Sequence, residues 1–310
     1  MAIRADPRTL RQPTTRARTL TDADVDALRL NWHTKIEPED VRRILFSYPG
    51  RSVWLPETLE FAVVAPWRHR SEVANIRHLV AVRHPELLVE AAVERCDAHD
   101  AQLVISIELE DVRRPAFYRS VGFNLFEEVE TYELDRLPPP GRRPGRLRFA
   151  LVDPADARAR ATLLTIDHTA FPWLWQNNDL EFQMYSLTPG VELYLGFLED
   201  QPVSYVGLTS YLGWGHLDRI AVLPALQGQG LGQEGLAFAL DRLARLGSRR
   251  VGLSTQRTNV HSQHLYERAG FRRAWGNDYR VYGRFLRPVG EAPGGEGDDS
   301  GLHAQEPRSR

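Results

Sequence analysis

His216-Leu-Asp-Arg-Ile-Ala-Val-Leu-Pro-Ala-Leu-Gln-Gly-Gln-Gly-Leu-Gly232 passes from strand chemistry to helix chemistry within one short run. His216 to Leu223 predicts a strand, and Pro224, which cannot donate to a ladder, ends it. Gln227-Gly-Gln-Gly-Leu-Gly232 then predicts a tight turn opening a helix. In that helix Leu236, Leu240 and Leu243 share one face, and Gly247 closes it. A glycine-rich turn at a helix N-terminus offers unpaired backbone N–H groups and the positive end of the helix dipole. With no Cβ in the way, it is a cradle for a pyrophosphate.

Gly230-Leu-Gly232-Gln-Glu-Gly235 satisfies the G-x-G-x-x-G dinucleotide pattern, but its surroundings do not. In a dinucleotide fold the first glycine follows the strand directly, whereas Leu223 to Gln229 intervene here. No acidic residue stands about 20 residues further on, where Val251-Gly-Leu-Ser-Thr255 predicts the next strand. A nicotinamide or flavin cofactor is therefore not expected.

Gln227, Gly230 and Gly232 meet the pattern Q/R-x-x-G-x-G/A after a strand, and Asn259, Tyr266, Gly270 and Phe271 follow in order. Residues 148–287 thereby resemble the GNAT acyltransferase superfamily. The resemblance implies an α+β fold built on a mixed sheet, with acetyl-CoA or another acyl-CoA as co-substrate. It implies that the strand around Ile220-Ala221-Val222 splays from the one around Leu253-Ser-Thr255, with the pantetheine arm between them. Gln227, Gly228, Gln229, Gly230, Leu231, Gly232 and Gln233 would hold pyrophosphate, Asn259 would contact the arm, and Tyr266 would point at the thioester sulfur.

Amine attack on a thioester needs both reactants placed, a donor for the oxyanion, a base for the amine and an acid for the leaving thiolate. Tyr266 is the candidate acid; the alternative is a tyrosine that only packs beneath the cofactor. His216 and Asp218 alternate with Leu217 and so face one side of the strand, as a base or relay or merely as sheet hydrogen-bonding groups. The run resembles arylalkylamine N-acetyltransferases, which carry histidines at both positions; Asp218 departs from that pattern.

Asp167 to Asn178 supplies Phe171, Trp173 and Trp175, which with Tyr185, Tyr205, Tyr211 and Trp214 predict aromatics near the cleft mouth. Trp173, Trp175 and Tyr185 are the candidate acceptor-binding residues, against the alternative that they pack a core. Asp179 and Glu181 could hold an acceptor ammonium. His261 and His264 lack a third ligand at metal spacing, so no metal is expected.

Gln102 to Asp111 aligns without a gap on Arg250 to Asn259, and Tyr118-Arg-Ser-Val-Gly-Phe123 on Tyr266-Glu-Arg-Ala-Gly-Phe271. This repeat predicts two tandem GNAT-type domains, 16–136 and 148–287, joined by a Pro/Gly/Arg linker at 137–147. Pairing Val82 with Val222 leaves the first copy short where the second keeps its glycines. Asp111 stands where the second copy has Asn259. The first copy is thus expected to be degenerate and supporting, a layout resembling that of mycothiol synthases. Arg68-His-Arg70 and Arg113-Arg114 could bind an anion, although solvated surface arginines are the default. Residues 1–15 and 288–310 are expected to be disordered.

With 39 basic and 41 acidic residues, the net charge of −2 gives no field to attract nucleic acid or an anionic membrane. Lys35 is the only lysine, so a Schiff-base mechanism would have to use it. Cys96, the single cysteine, allows no intrachain disulfide and sits in an apolar helical run that suits a core thiol. No apolar leader or membrane span is present, which predicts a cytoplasmic protein. The expected activity is acyl transfer to a small-molecule amine in a ternary complex. A non-catalytic acyl-CoA-binding scaffold and a protein N-acetyltransferase are the alternatives, and a homodimer is compatible with the sequence.

Overall fold

Phe61-Ala-Val-Val64 and Tyr205-Val-Gly-Leu208 are apolar on both faces, as strands covered by helices on each side must be. The computed structural model describes residues 16–30, 36–109, 115–139, 141 and 145–287. The termini expected to be disordered, Lys35, Asp111, Arg113, Arg114 and part of the Pro/Arg linker lie outside the described residues. The N-terminal half contains β1 (Arg18–Thr19), α1 (Pro38–Ser47), β2 (Val53–Leu55), β3 (Glu60–Trp67) and β4 (Arg70–Val80). It continues with α2 (Pro85–Asp97), β5 (Leu103–Glu108), α3 (Pro115–Ser120) and β6 (Asn124–Leu134). The C-terminal half begins with β7 (Leu147–Leu151), α4 (Ala157–Ala170), α5 (Asp179–Ser186), β8 (Val191–Leu198) and β9 (Gln201–Tyr211). β10 (Trp214–Val222), α6 (Leu231–Arg245), β11 (Arg250–Gln256), α7 (Val260–Arg268), β12 (Arg272–Arg273) and β13 (Tyr279–Phe285) complete it.

All the strands of the described residues join one 13-stranded mixed sheet in the order β1-β2-β3-β4-β5-β13-β6-β11-β10-β9-β8-β7, with β12 beside β6. The halves exchange their last strands. β13 pairs with β5 of the N-terminal half, and β6 pairs with β11 of the C-terminal half. The ladder is therefore continuous across the molecule, and neither half ends in an open edge at the join.

Helices cover both faces of each half. α2 packs Leu88, Ala92 and Cys96 against Val64, Ala74 and Val104, while α1 puts Val41 and Leu45 on Phe61 and Val63. In the C-terminal half α6 buries Leu236, Leu240 and Leu243 against Val206, Leu217 and Leu253, as the spacing predicted. On the opposite face, Leu163, Ile166 and Phe182 of α4 and α5 meet Leu193 and Tyr205. Burial pushes the Cys96 thiol up to about 12, so it is inert as a nucleophile. Among the described residues no helix is long and apolar enough to cross a membrane.

One expected correspondence is corrected. Val73 pairs with Leu103 and Gly215 with Val251, which puts Val80 rather than Val82 in the place of Val222. A slip of two residues keeps every side chain on its own face, so a period-two pattern does not detect it.

Candidate active site

β10 and β11 run parallel from Trp214/Arg250 to Leu217/Leu253, where their ladder stops. β10 continues to Val222 along β9 only, with a bulge between Leu217 and Arg219. Past that point the β11-facing edge of β10 has no strand beside it among the described residues. A cavity of about 220 Å3 opens there, lined by His216, Asp218, Ile220, Ser254, Gln256, Asn259 and Tyr266 among others.

The bulge places Asp218 at the rim, as bulges beside sites commonly re-aim a side chain. Its Oδ1 lies 2.6 Å from His216 Nδ1, and its Oδ2 accepts from the Thr209 hydroxyl at 2.6 Å and from the Tyr185 phenol. A carboxylate can only accept, so the His216 proton sits on Nδ1 and Nε2 is left as the basic nitrogen. Tyr266 is buried on α7 with Ser262 as its hydrogen-bonding neighbour; burial pushes its phenol up to about 12. Asn259, the N-cap of α7, accepts from the Ser262 N–H at 3.1 Å, which fixes the start of the helix that carries Tyr266.

The glycine turn follows the strand end. Gln227 Nε2 donates to the Val222 carbonyl at 3.0 Å and ties the turn to β10. Gly228 and Gly230 have φ of 75° and 85°, a region closed to most side chains, and Gly230 is the N-cap of the 15-residue α6. A Cβ on Gly228 would meet nothing within 4 Å, so the approach to these backbone N–H groups is open. The linker reinforces the turn. Arg146 donates to the Gln229 carbonyl and to Glu234 Oε1, and Glu234 also accepts from the Leu147 N–H at 2.9 Å. The donor set suits an anionic pyrophosphate, which these residues would hold.

Of the residues singled out from sequence, His216, Asp218, Ile220, Asn259, Tyr266 and Trp175 border this cavity. Ala221 and Val222 turn their side chains into buried clusters. Gln233 lies on a second hollow between α6, α7 and Pro138-Pro139. The hydroxyl of Tyr185 is committed to Asp218. Tyr211 and Trp214 flank the β9–β10 turn, which connects the strand ends away from the splay. Asp179 is engaged by Arg160 at 2.8 Å. Among the described residues no group of three metal-ligating side chains forms.

Two features were not foreseen. Asp167, fully buried, accepts from Arg219 (2.7 Å), Tyr205 (2.5 Å) and the Asn177 N–H (2.8 Å), a neutralised network that braces β10 against α4. Its sequence signal was an acid in the middle of an apolar helix face. The aromatic segment also packs across the join, with Trp175 edge-on to Trp67 at 5.7 Å and the Trp67 indole donating to the Leu174 carbonyl at 2.8 Å. The N-terminal half thus supplies one wall of the cavity, including Arg68.

Residues 160–271 match the profile of the acetyltransferase (GNAT) family. Among solved structures, a GCN5-related N-acetyltransferase from Sphaerobacter thermophilus aligns with a TM-score of 0.60 at 19% identity, over 88% of this chain and 96% of that one. A tandem GNAT protein from the clavulanic acid biosynthesis pathway aligns with a TM-score of 0.57 at 12% identity, over 88% and 99% of the two chains. A GCN5-related glucosamine N-acetyltransferase region of a fungal multi-domain GH3 β-N-acetylglucosaminidase gives 0.62 at 14% identity, over 86% of this chain and 38% of that chain. At these identities the likeness is one of fold. No curated protein matches the chain by sequence.

Proposed function

We propose that this chain, whose residues 160–271 match the acetyltransferase (GNAT) family, moves an acetyl group from acetyl-CoA to a small-molecule amine. Transfer is by direct attack within a ternary complex. Residues 148–287 form the active domain in this reading, and residues 16–136 form a supporting one. One observation carries the proposal: the parted strands β10 and β11 enclose a cavity that holds both a protonated phenol, Tyr266, and an oriented imidazole, His216.

Acetyl-CoA supplies the activated carbonyl and the thiolate leaving group. The Gln227–Gln233 turn holds the pyrophosphate on open N–H groups, and the freed edge of β10 offers backbone donors to the arm and the developing oxyanion. His216 Nε2 takes the ammonium proton, directly or through water, while Asp218 fixes the ring and stabilises the imidazolium that forms. With its phenol held near 12, Tyr266 is protonated at neutral pH and meets the departing sulfur as a donor. The cavity is closed on one side by the N-terminal half, which suits a small acceptor better than a peptide segment.

Titration calorimetry of the whole chain with acetyl-CoA tests the reading. One site per chain, followed by turnover with a small amine, supports it. Absence of binding removes it, and two sites would give the N-terminal half a function it is not assigned here.

A further inference from the structure

We propose that Arg68, delivered by the N-terminal half, reads an anionic group, a carboxylate or a phosphate, on the acceptor amine; this rests on the acyltransferase reading above. Trp67 pairs with Arg70 across the β3–β4 hairpin, so Arg68 and His69 form its two-residue turn. Their φ values of 50° and 55° lie in the left-handed region, where such turns ordinarily use Asn and Gly. Arg-His therefore stands in this turn at a conformational cost that Asn-Gly would avoid.

The turn is locked against the acceptor-side segment of the other half. Arg70 Nη1 donates to the Trp173 carbonyl at 2.5 Å, and Asn178 Nδ2 donates to the His69 carbonyl at 3.0 Å. Arg68 Nη1 donates to Asn177 Oδ1 at 2.7 Å, and its guanidinium lies 5.2 Å from the Trp67 ring and 5.6 Å from that of Trp175. It borders the same cavity as His216 and Tyr266, and its Nε is buried without a hydrogen-bond partner among the described residues.

The cavity's other guanidinium, Arg219, is already committed to Asp167, to Tyr205 and to the Trp175 carbonyl. Among the described residues Arg68 has no comparable carboxylate: Glu181 and Asp167 act on it only through space, and Asp167 belongs to Arg219. Burial first, and then the charge of Arg219, hold the Arg68 guanidinium down to about 10, still a cation at neutral pH. A buried cation with a spare donor beside a second cation is relieved by an anion, and guanidinium forks fit carboxylate and phosphate oxygens. The acceptor that fits carries its amine toward His216 and an oxyanion toward Arg68.

The test is steady-state kinetics at saturating acetyl-CoA with matched amines: ethylamine, β-alanine and 2-aminoethyl phosphate, and tyramine with tyrosine. The expected result is a kcat/KM about 10- to 100-fold higher for anionic members than for their neutral partner. The better of β-alanine and 2-aminoethyl phosphate decides between carboxylate and phosphate. Arg68→Gln should erase that preference through KM, and Arg68→Lys should keep part of it. Quenching of the flanking tryptophans, Trp67 and Trp175, by the preferred amine gives a readout independent of turnover. Neutral amines used as well as anionic ones by the unaltered protein would overturn the proposal. So would an Arg68→Gln protein of normal melting temperature that lost activity equally toward every amine. Acetyl-CoA binding without acetylation of any anionic amine would overturn it and leave the transferase reading standing, whereas failure to bind acetyl-CoA would remove both.

Discussion

The two halves part their central strands in the same way and put the opening to different uses. β4 and β5 separate after Ile76/Ser106, as β10 and β11 do after Leu217/Leu253. In the C-terminal half the strand leads into glycines at positive φ and a helix with an open N-terminus. In the N-terminal half α2 starts at Pro85, which has no N–H to offer, and the Val82 and Arg83 N–H groups both donate to Glu60 Oε1 at 2.6 and 2.5 Å. A buried carboxylate of the protein thus occupies the free N–H groups that follow β4, where the chain after β10 leads to the glycine turn. The helix tyrosines differ likewise. Tyr118 donates to Glu108 at 2.6 Å and stacks on Tyr282 at 3.9 Å, whereas Tyr266 borders a cavity. At the Glu108 position the second copy has Gln256. The fold tolerates both versions because its stability lies in the ladders and helix faces, while the donors a ligand would need are few.

The comparison breaks most sharply at Gly230. Gly230→Val forces a β-branched residue to φ 85° in the turn, and calorimetry should show acetyl-CoA affinity falling about 100-fold or more. Retained affinity would mean that this turn is not the cradle.

The tyrosines come next. Tyr266→Phe should lower kcat about 100-fold with acetyl-CoA binding kept, while Tyr118→Phe should leave kcat alone and cost about 1–3 kcal/mol in denaturant unfolding. If both variants only lose stability, Tyr266 is as structural as Tyr118.

Asp218→Asn should cost about 10-fold in kcat by loosening His216, without changing KM for acetyl-CoA. An unchanged rate would return the pair to a purely structural role.

The smallest effect concerns the acid limb of stability. Although burial alone would raise it, hydrogen bonds from the Arg83 and Val82 N–H groups hold the Glu60 carboxyl below its ordinary value. A depressed folded pKa contributes stability above the ordinary carboxylate range that is lost as pH falls through the folded value. Glu60→Gln should therefore melt lower at neutral pH and show a shallower loss of melting temperature into acid. Equal acid slopes would show that Glu60 is not held by those donors.

Much of the C-terminal half was legible because its signals are local. The glycine turn, the one-face spacing of Leu236, Leu240 and Leu243, and the alternation of His216 with Asp218 are each set by a few bonds of chain. The repeat made the N-terminal copy visible too, through Tyr118 and Phe123, although period-two patterning left its register two residues out. The roles of Trp173 and Trp175 were not legible, because an aromatic run says nothing of which half it will meet.

The sequence by itself determined the strand–turn–helix unit, the acyl-transfer chemistry its residues suit, and the loss of the glycines from the first copy. Tertiary structure alone decided that β6 and β13 change places, that Glu60 fills the donors of the N-terminal opening, and that Arg68 enters the C-terminal cavity. Those contacts join residues as far apart as Arg68 and Asn177. Local propensity carries no term for such separation; it is fixed only when two buried surfaces, each satisfied on its own side, find the one docking that leaves no strand edge unpaired between them.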